Sequence, residues 1–246
     1  MAKILVIEGA EVTPLDKTKF TEEGKLQDYL EKYPSLIPLP DIVEGASALL
    51  CIGREVGAGP GAIDLLFIDK DGLLTIVETK LRRNREARRE VIGQIIEYAS
   101  YISQWTTDKV YEIANAYLKS NLDEVMGNVG EGEFSPKDFR SNIEQNLRNG
   151  KIRLIIAVDE LIEPLRAIIT FLNSYSNFDI LLLQVSNFEE SKSRRILIPS
   201  LFGYATKTTG TGRPTKHWDP ESFVADTKER CEPKIVDTIT KLYEFT

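Results

Sequence analysis

The stretch AIDLLFIDKDGLLTIVETK, residues 62–80, decides how this chain is read. Two short apolar runs, 62–69 and 73–80, flank Asp69-Lys70-Asp71-Gly72, a turn signal, so the segment reads as a β-hairpin. A turn centred near Asp71 sets Asp64 directly opposite Glu78. Side chains alternate along a strand, so Lys80 shares the face of both carboxylates and Thr79 points away. Two opposed carboxylates repel and destabilise a sheet unless a cation lies between them. A divalent cation is the natural occupant, with a backbone carbonyl, that of Thr79, completing an oxygen set suited to Mg²⁺ or Mn²⁺.

Working outward, ALLCIGREV (48–56) reads as a strand before the hairpin, and Arg54 in it reaches towards a substrate on the neighbouring strand or is an ordinary exposed strand arginine. After the hairpin, Val91, Ile95, Tyr98 and Ile102 recur at helical spacing over 86–105, with Gln94 near the buried face. Further helices are expected over 108–120, 136–147 and 161–175. IRLIIAV (152–158) reads as a strand buried in a sheet interior, followed by strands at 179–185 and 195–199. Upstream, residues 3–8 read as a strand, and Thr21 as the N-cap of a helix that Pro34 stops. Residues 203–218 form a Gly/Thr/Lys-rich linker or loop and 219–246 a small helical appendage, leaving 1–202 as the main domain.

The chain has 246 residues and a net charge of -7, with 42% hydrophobic and 28% charged residues. Between Lys80 and Glu90, six basic residues (Lys80, Arg82, Arg83, Arg85, Arg88, Arg89) meet only Glu86 and Glu90. A basic patch focused on an acidic body suits contact with phosphates in one place; alone, such a run is also what a solvated helix face shows. Lys207, Arg213, Lys216, His217 and Trp218 would add phosphate and stacking contacts, or belong to a loop. Two cysteines, Cys51 and Cys231, form neither a disulfide framework nor a zinc spacing. The lone His217 argues against His-pair chemistry. No apolar run is long enough to span a bilayer or to serve as a signal peptide, so a cytoplasmic location is expected and no membrane partner.

In combination, Asp64, Glu78-Thr79-Lys80, and Gln94 with Tyr98 one turn later resemble the PD-(D/E)XK nuclease superfamily, more narrowly its RecB-like branch related to the NucS endonucleases. The similarity extends to EGKLQDYLEKYPSLIP, which matches the family's opening helix, and more loosely to about Phe188. It implies an α/β fold with a restriction-endonuclease-like core, a mixed sheet flanked by helices, and a metal-dependent endonuclease acting on DNA in repair or defence. The catalytic set becomes Asp64, Glu78, Lys80 and Gln94; the metal set Asp64, Glu78, Thr79 and Glu23, with Glu22 the lesser candidate; and the nucleic-acid contacts Arg82, Arg83, Arg85, Arg54 and Tyr98. Tyr98 also reads as core packing. Asp64 is preceded by Ile63 where the family often has Pro. The overall acidity suggests delivery of single-stranded, branched or mismatched DNA by a partner protein, or homodimer formation. The competing expectation is a catalytically silent nucleic-acid-binding or assembly module that keeps the fold.

Overall fold

The computed structural model describes residues 4–9, 11–42, 46–81, 87–130, 132–161, 163–175, 179–191 and 194–203. The chain divides into two compact units, Met1–Thr208 and Thr209–Thr246. All described residues belong to the first. Arg82, Arg83, Arg85, the Lys207–Trp218 group, Cys231 and the expected C-terminal helices lie outside them.

The first unit is a mixed α/β sheet flanked by helices on both faces, in agreement with the restriction-endonuclease-like core expected from the sequence. Its elements run β1 (Ile4–Glu8), β2 (Glu11–Thr18), α1 (Glu23–Lys32), a 3₁₀ turn (Pro34–Leu36), α2 (Leu39–Ile42), β3 (Leu50–Ala58), β4 (Gly61–Ile68), β5 (Leu74–Lys80), α3 (Ala87–Ile102), α4 (Thr107–Leu118), α5 (Leu122–Met126), α6 (Pro136–Arg148), β6 (Arg153–Val158), α7 (Glu163–Tyr175), β7 (Asp179–Ser191) and β8 (Arg194–Phe202). The strand order is β1-β2-β7-β6-β5-β4-β3, with β8 also paired to β7. No helix of the described residues is long and apolar enough to cross a membrane.

The hairpin forms in the expected register. Leu65 pairs with Val77, Leu66 with Ile76, Phe67 with Thr75 and Ile68 with Leu74. At the turn, Asp69 Oδ1 accepts the backbone N–H groups of Asp71 (3.1 Å) and Leu73 (3.0 Å), the aspartate turn that the sequence signals. Gly72 adopts φ +67°, and a Cβ there would lie 2.7 Å from the backbone nitrogen of Ile143, so α6 can pack on the turn only over a glycine. The other carboxylate oxygen of Asp69 faces Arg153 on β6 at 3.4 Å, and Arg153 also donates to Thr75 Oγ1 at 3.2 Å. Burial raises the Asp69 pKa, the Arg153 charge opposing it. One buried aspartate therefore caps the hairpin and ties it to the next strand.

β5 and β6 pair in parallel, Lys80 level with Val158, and β6 pairs in parallel with β7, Val158 level with Gln184. Every residue of β6 is buried, which explains why the strand is apolar throughout after Arg153, whose charge is met by Asp69. Two cores form on opposite faces. Val91, Ile95, Tyr98 and Ile102 of α3 pack with Leu66, Ile76 and Leu154, while Leu26 and Leu30 of α1 pack with Leu65, Val77, Ile155 and Leu183.

Three expectations are corrected. β2 was not anticipated, because EVTPLDKT mixes acids, a proline and a lysine and shows no clean alternation; it is held by β1 over residues 11–15 and by β7 over 16–18. The N-cap of α1 is Glu22 rather than Thr21, and it makes no side-chain capping bond. β7 runs 13 residues, well beyond 179–185. It is long because β8 pairs with it from Leu182 onward, while the opposite edge serves β6 first and β2 afterwards.

The Asp69–Arg153 pair predicts that Asp69→Ala destabilises the domain by about 3–5 kcal/mol, since it uncaps the turn and leaves a buried guanidinium without its carboxylate. Urea denaturation checks this; a loss within 1 kcal/mol would show that the turn holds without the pair.

Candidate active site

The site forms where the β4–β5 ladder stops. Leu65 and Val77 are the last paired residues, so Asp64 and Glu78 occupy the next level, as the hairpin reading requires. Beyond that level the strand N–H groups of β5 need other acceptors, and two carboxylates supply them. Asp64 Oδ2 accepts the Thr79 N–H at 2.7 Å and the Thr79 hydroxyl at 2.6 Å. Glu23 Oε1 accepts the Leu81 N–H at 3.1 Å. Thr79 was expected to point away from the acidic pair; instead its buried hydroxyl holds Asp64. The reason is that the cross-strand bond partner is lost at this level, so the carboxylate turns in to replace it.

Glu23 arrives here through tertiary topology. β2 pairs with β7 at residues 187–189, just past the level at which β6 ends, so its last residue Thr18 sits beyond the end of β6 and leads directly into α1. The first residue of α1 thereby meets the end of β5.

Lys80 lies between the carboxylates. Its Nζ is 3.0 Å from Glu78 Oε1 and 3.9 Å from Glu23 Oε2. Burial alone would lower the Lys80 pKa, but Glu78, Glu23 and Asp64 outweigh it and raise the pKa above the ordinary value. The group is thus held as an ammonium. Glu78 is 1% exposed, and its Oε2 is buried with no hydrogen-bond partner. Its pKa is pushed up to about 7, first by burial and next by the charge of Asp64, with Lys80 pulling it back and Glu23 adding to the rise.

Gln94 Nε2 donates to the Tyr98 hydroxyl at 2.8 Å, so the two α3 residues act as a linked pair. Tyr98 is buried in the core, and its hydroxyl lies where a Cβ on Gly61 would come within 2.6 Å, at the first residue of β4. Arg54 is bound to α1: Nη1 meets Asp28 at 2.8 Å and Glu31 at 2.6 Å, and Nη2 donates to Gln27 at 3.2 Å. Glu31 also accepts from Tyr117 at 2.6 Å, and Tyr117 in turn accepts from buried, free Cys51. This network was not read from the sequence, although Gln27, Asp28 and Glu31 do share a flank of α1 at helical spacing.

Among the described residues, no group of three or more His, Cys, Asp or Glu side chains is gathered as a ready metal cage. The donors that fit a hard cation are Asp64 and Glu78, with the unpartnered Glu78 oxygen the clearest opening for one. A larger cavity, about 630 Å³, lies between the start of α4 and α6 and includes Trp105, Asp108, Arg140 and Arg148. It contains none of the residues Glu23, Asp64, Glu78, Lys80 and Gln94, and within it Arg140 contacts Asp108 at 3.6 Å and the Tyr111 ring at 3.8 Å.

No family model and no curated protein matches this sequence. Among solved structures, a repair endonuclease from Pyrococcus abyssi superposes with a TM-score of 0.34 and 13% identity, over 67% of this chain and 48% of that one. The chain thus spans about half the length of the structure it matches.

The raised Glu78 pKa has a pH consequence. The folded protein holds a proton on Glu78 up to about pH 7, whereas the unfolded chain releases it near the ordinary value of 4.5. Between these values the folded state binds more protons, so rising pH removes stability, and the cost is complete above about pH 7. Glu78→Gln should therefore be more stabilising at pH 8 than at pH 5, by ~1–3 kcal/mol. Thermal melts of the two proteins in chelator at both pH values provide the check; an equal difference at both would mean that the carboxyl titrates normally.

Proposed function

We propose that this chain is a metal-dependent nuclease that hydrolyses DNA phosphodiester bonds as an endonuclease in repair or defence. The observation that carries the reading is buried Glu78, with one oxygen unpartnered and the other on Lys80, beside Asp64 at the point where the hairpin ladder ends. A fold selected for stability alone would not retain a buried carboxylate that raises its own pKa and lies next to a second carboxylate. Asp64 and Glu78 would hold Mg²⁺ or Mn²⁺, with the Thr79 carbonyl as a further oxygen donor. When bound, such an ion would polarise the scissile phosphate and acidify water.

The remaining work falls to the chain. Thr79 fixes the Asp64 carboxylate through two hydrogen bonds to Oδ2, neither of which uses Oδ1. Lys80, kept protonated by its carboxylate neighbours, offsets the charge that accumulates on the phosphate oxygens as water adds to phosphorus and one ester P–O bond breaks. Glu23 positions Lys80 and secures the backbone at Leu81. The Gln94–Tyr98 pair would contact the nucleotide or a water at the metal. Arg82, Arg83 and Arg85 would receive the backbone phosphates, and the acidic body is served by a partner protein or second copy that delivers the DNA.

A second reading, a binding or assembly module without turnover, is favoured by one feature. Glu78 Oε1 and Asp64 Oδ2 are already satisfied by Lys80 and Thr79. The readings separate by experiment. The nuclease should cut DNA with Mg²⁺ or Mn²⁺, and Asp64→Ala and Lys80→Ala should each reduce cutting at least ~100-fold, in the range of losing a preorganised charge at a transition state. Titration calorimetry with Mn²⁺ should show heat that Asp64→Ala removes. Cutting that survives both substitutions refutes the mechanism; a folded protein with neither cutting nor Mn²⁺ heat belongs to the second reading.

A further inference from the structure

The flank of α1 that faces β8 carries side chains that the carboxylate cluster does not use. A cavity of about 470 Å³ opens there, lined by Tyr29, Tyr33, Ser35, Leu36, Arg195 and Leu197. Tyr29 and Tyr33 lie one helical turn apart, so both rings border the same space. The Tyr29 ring is backed by Phe20, with centroids 6.2 Å apart. The Arg195 guanidinium lies 5.5 Å over the Tyr29 ring and donates to its hydroxyl, while its other nitrogen meets Glu189 at 3.1 Å. Tyr33 is 45% exposed, and Lys32 Nζ lies 5.2 Å over its ring.

Each ring thus has a cation against it, and Leu36 and Leu197 supply apolar walls. Unpaired nucleobases are taken up by this combination of stacking faces with cations near the backbone phosphates. The volume suits one nucleotide. A duplex keeps its bases stacked inside and cannot fill such a cavity, so the occupant is single-stranded. The same helix links the cavity to the carboxylates: its first residue, Glu23, touches Leu81, and Tyr33 lies ten residues on, ~15 Å along the axis.

We propose that the Tyr29–Tyr33–Arg195 cavity is a stacking site for an unpaired base of single-stranded DNA, whose backbone runs along α1 to the Asp64–Glu78–Lys80 cluster. The inference rests on the nuclease reading for what the strand is delivered to, though not for the binding itself. It assigns Tyr33, 45% exposed, a role that packing does not require.

The test is fluorescence anisotropy with a labelled twelve-residue oligothymidylate in chelator, so that no turnover is needed, with a blunt duplex as the control. Tyr33→Ala should weaken oligothymidylate binding about ten-fold, within the range of one lost base stack, and leave the duplex unaffected, while Tyr33→Trp retains binding. Arg195→Ala should weaken it as well, because it removes the guanidinium from the Tyr29 ring. Wild-type-like binding by Tyr33→Ala, equal losses for duplex and single strand, or no binding by the wild-type protein would each overturn the proposal. The failures are distinguishable. If Tyr33→Ala loses binding while no DNA is cut with metal, the stacking site stands and the nuclease reading falls. If DNA is cut and Tyr33→Ala binds normally, the reverse holds.

Discussion

The buried contact between Asp69 and Arg153 is the constraint on which the rest of the domain depends. A hairpin can slip by one residue, and each slip moves every side chain to the other face. Here the same aspartate closes the turn through two backbone N–H groups and meets an arginine on the next strand, so the registers of β4, β5 and β6 are set together. Such a pair gives modest net stability, because desolvation of the two charges offsets their attraction. Its effect is positional: with the turn held at Asp69, the ladder ends at Leu65–Val77 and the carboxylates emerge at the next level.

What happens at that level is a contest between desolvation and charge. At 3.0 Å the Lys80–Glu78 attraction amounts to about 5 kcal/mol at an effective dielectric of 20, and it acts to ionise Glu78. The Glu78 pKa nevertheless rises, so burial together with Asp64 and Glu23 exceeds that attraction. Lys80 shows the converse, since three carboxylates outweigh the burial that would neutralise it. The cluster is left with one lysine against three carboxylates, which is the imbalance that a further cation would correct.

α1 joins the two halves of this picture. Leu26 and Leu30 bury it against the sheet, each at about 1.5–3 kcal/mol of apolar transfer. One flank binds Arg54 through Gln27, Asp28 and Glu31, the other carries Tyr29 and Tyr33, and its first residue reaches the end of β5. A single helix thus sets the distance between the carboxylate cluster and the tyrosine cavity.

Much of this was legible in the chain because it depends on local chemistry. The Asp69–Gly72 turn, the alternation that levels Asp64 with Glu78, the helical spacing that pairs Gln94 with Tyr98, and the apolar run of β6 are all properties of neighbouring residues. Strand β2 was not legible, because its edges are satisfied by β1 and β7 rather than by its own pattern. Nor were the Arg54 network, the inward turn of Asp64 onto Thr79 and the arrival of Glu23 at Leu81. The sequence by itself determined the register of the hairpin, and with it the level that Asp64 and Glu78 share, since the turn and the backbone geometry enforce that. Only the tertiary structure decided which hydrogen bonds replace the ladder where it stops and which charges meet there, because those partners come from strands and helices distant along the chain.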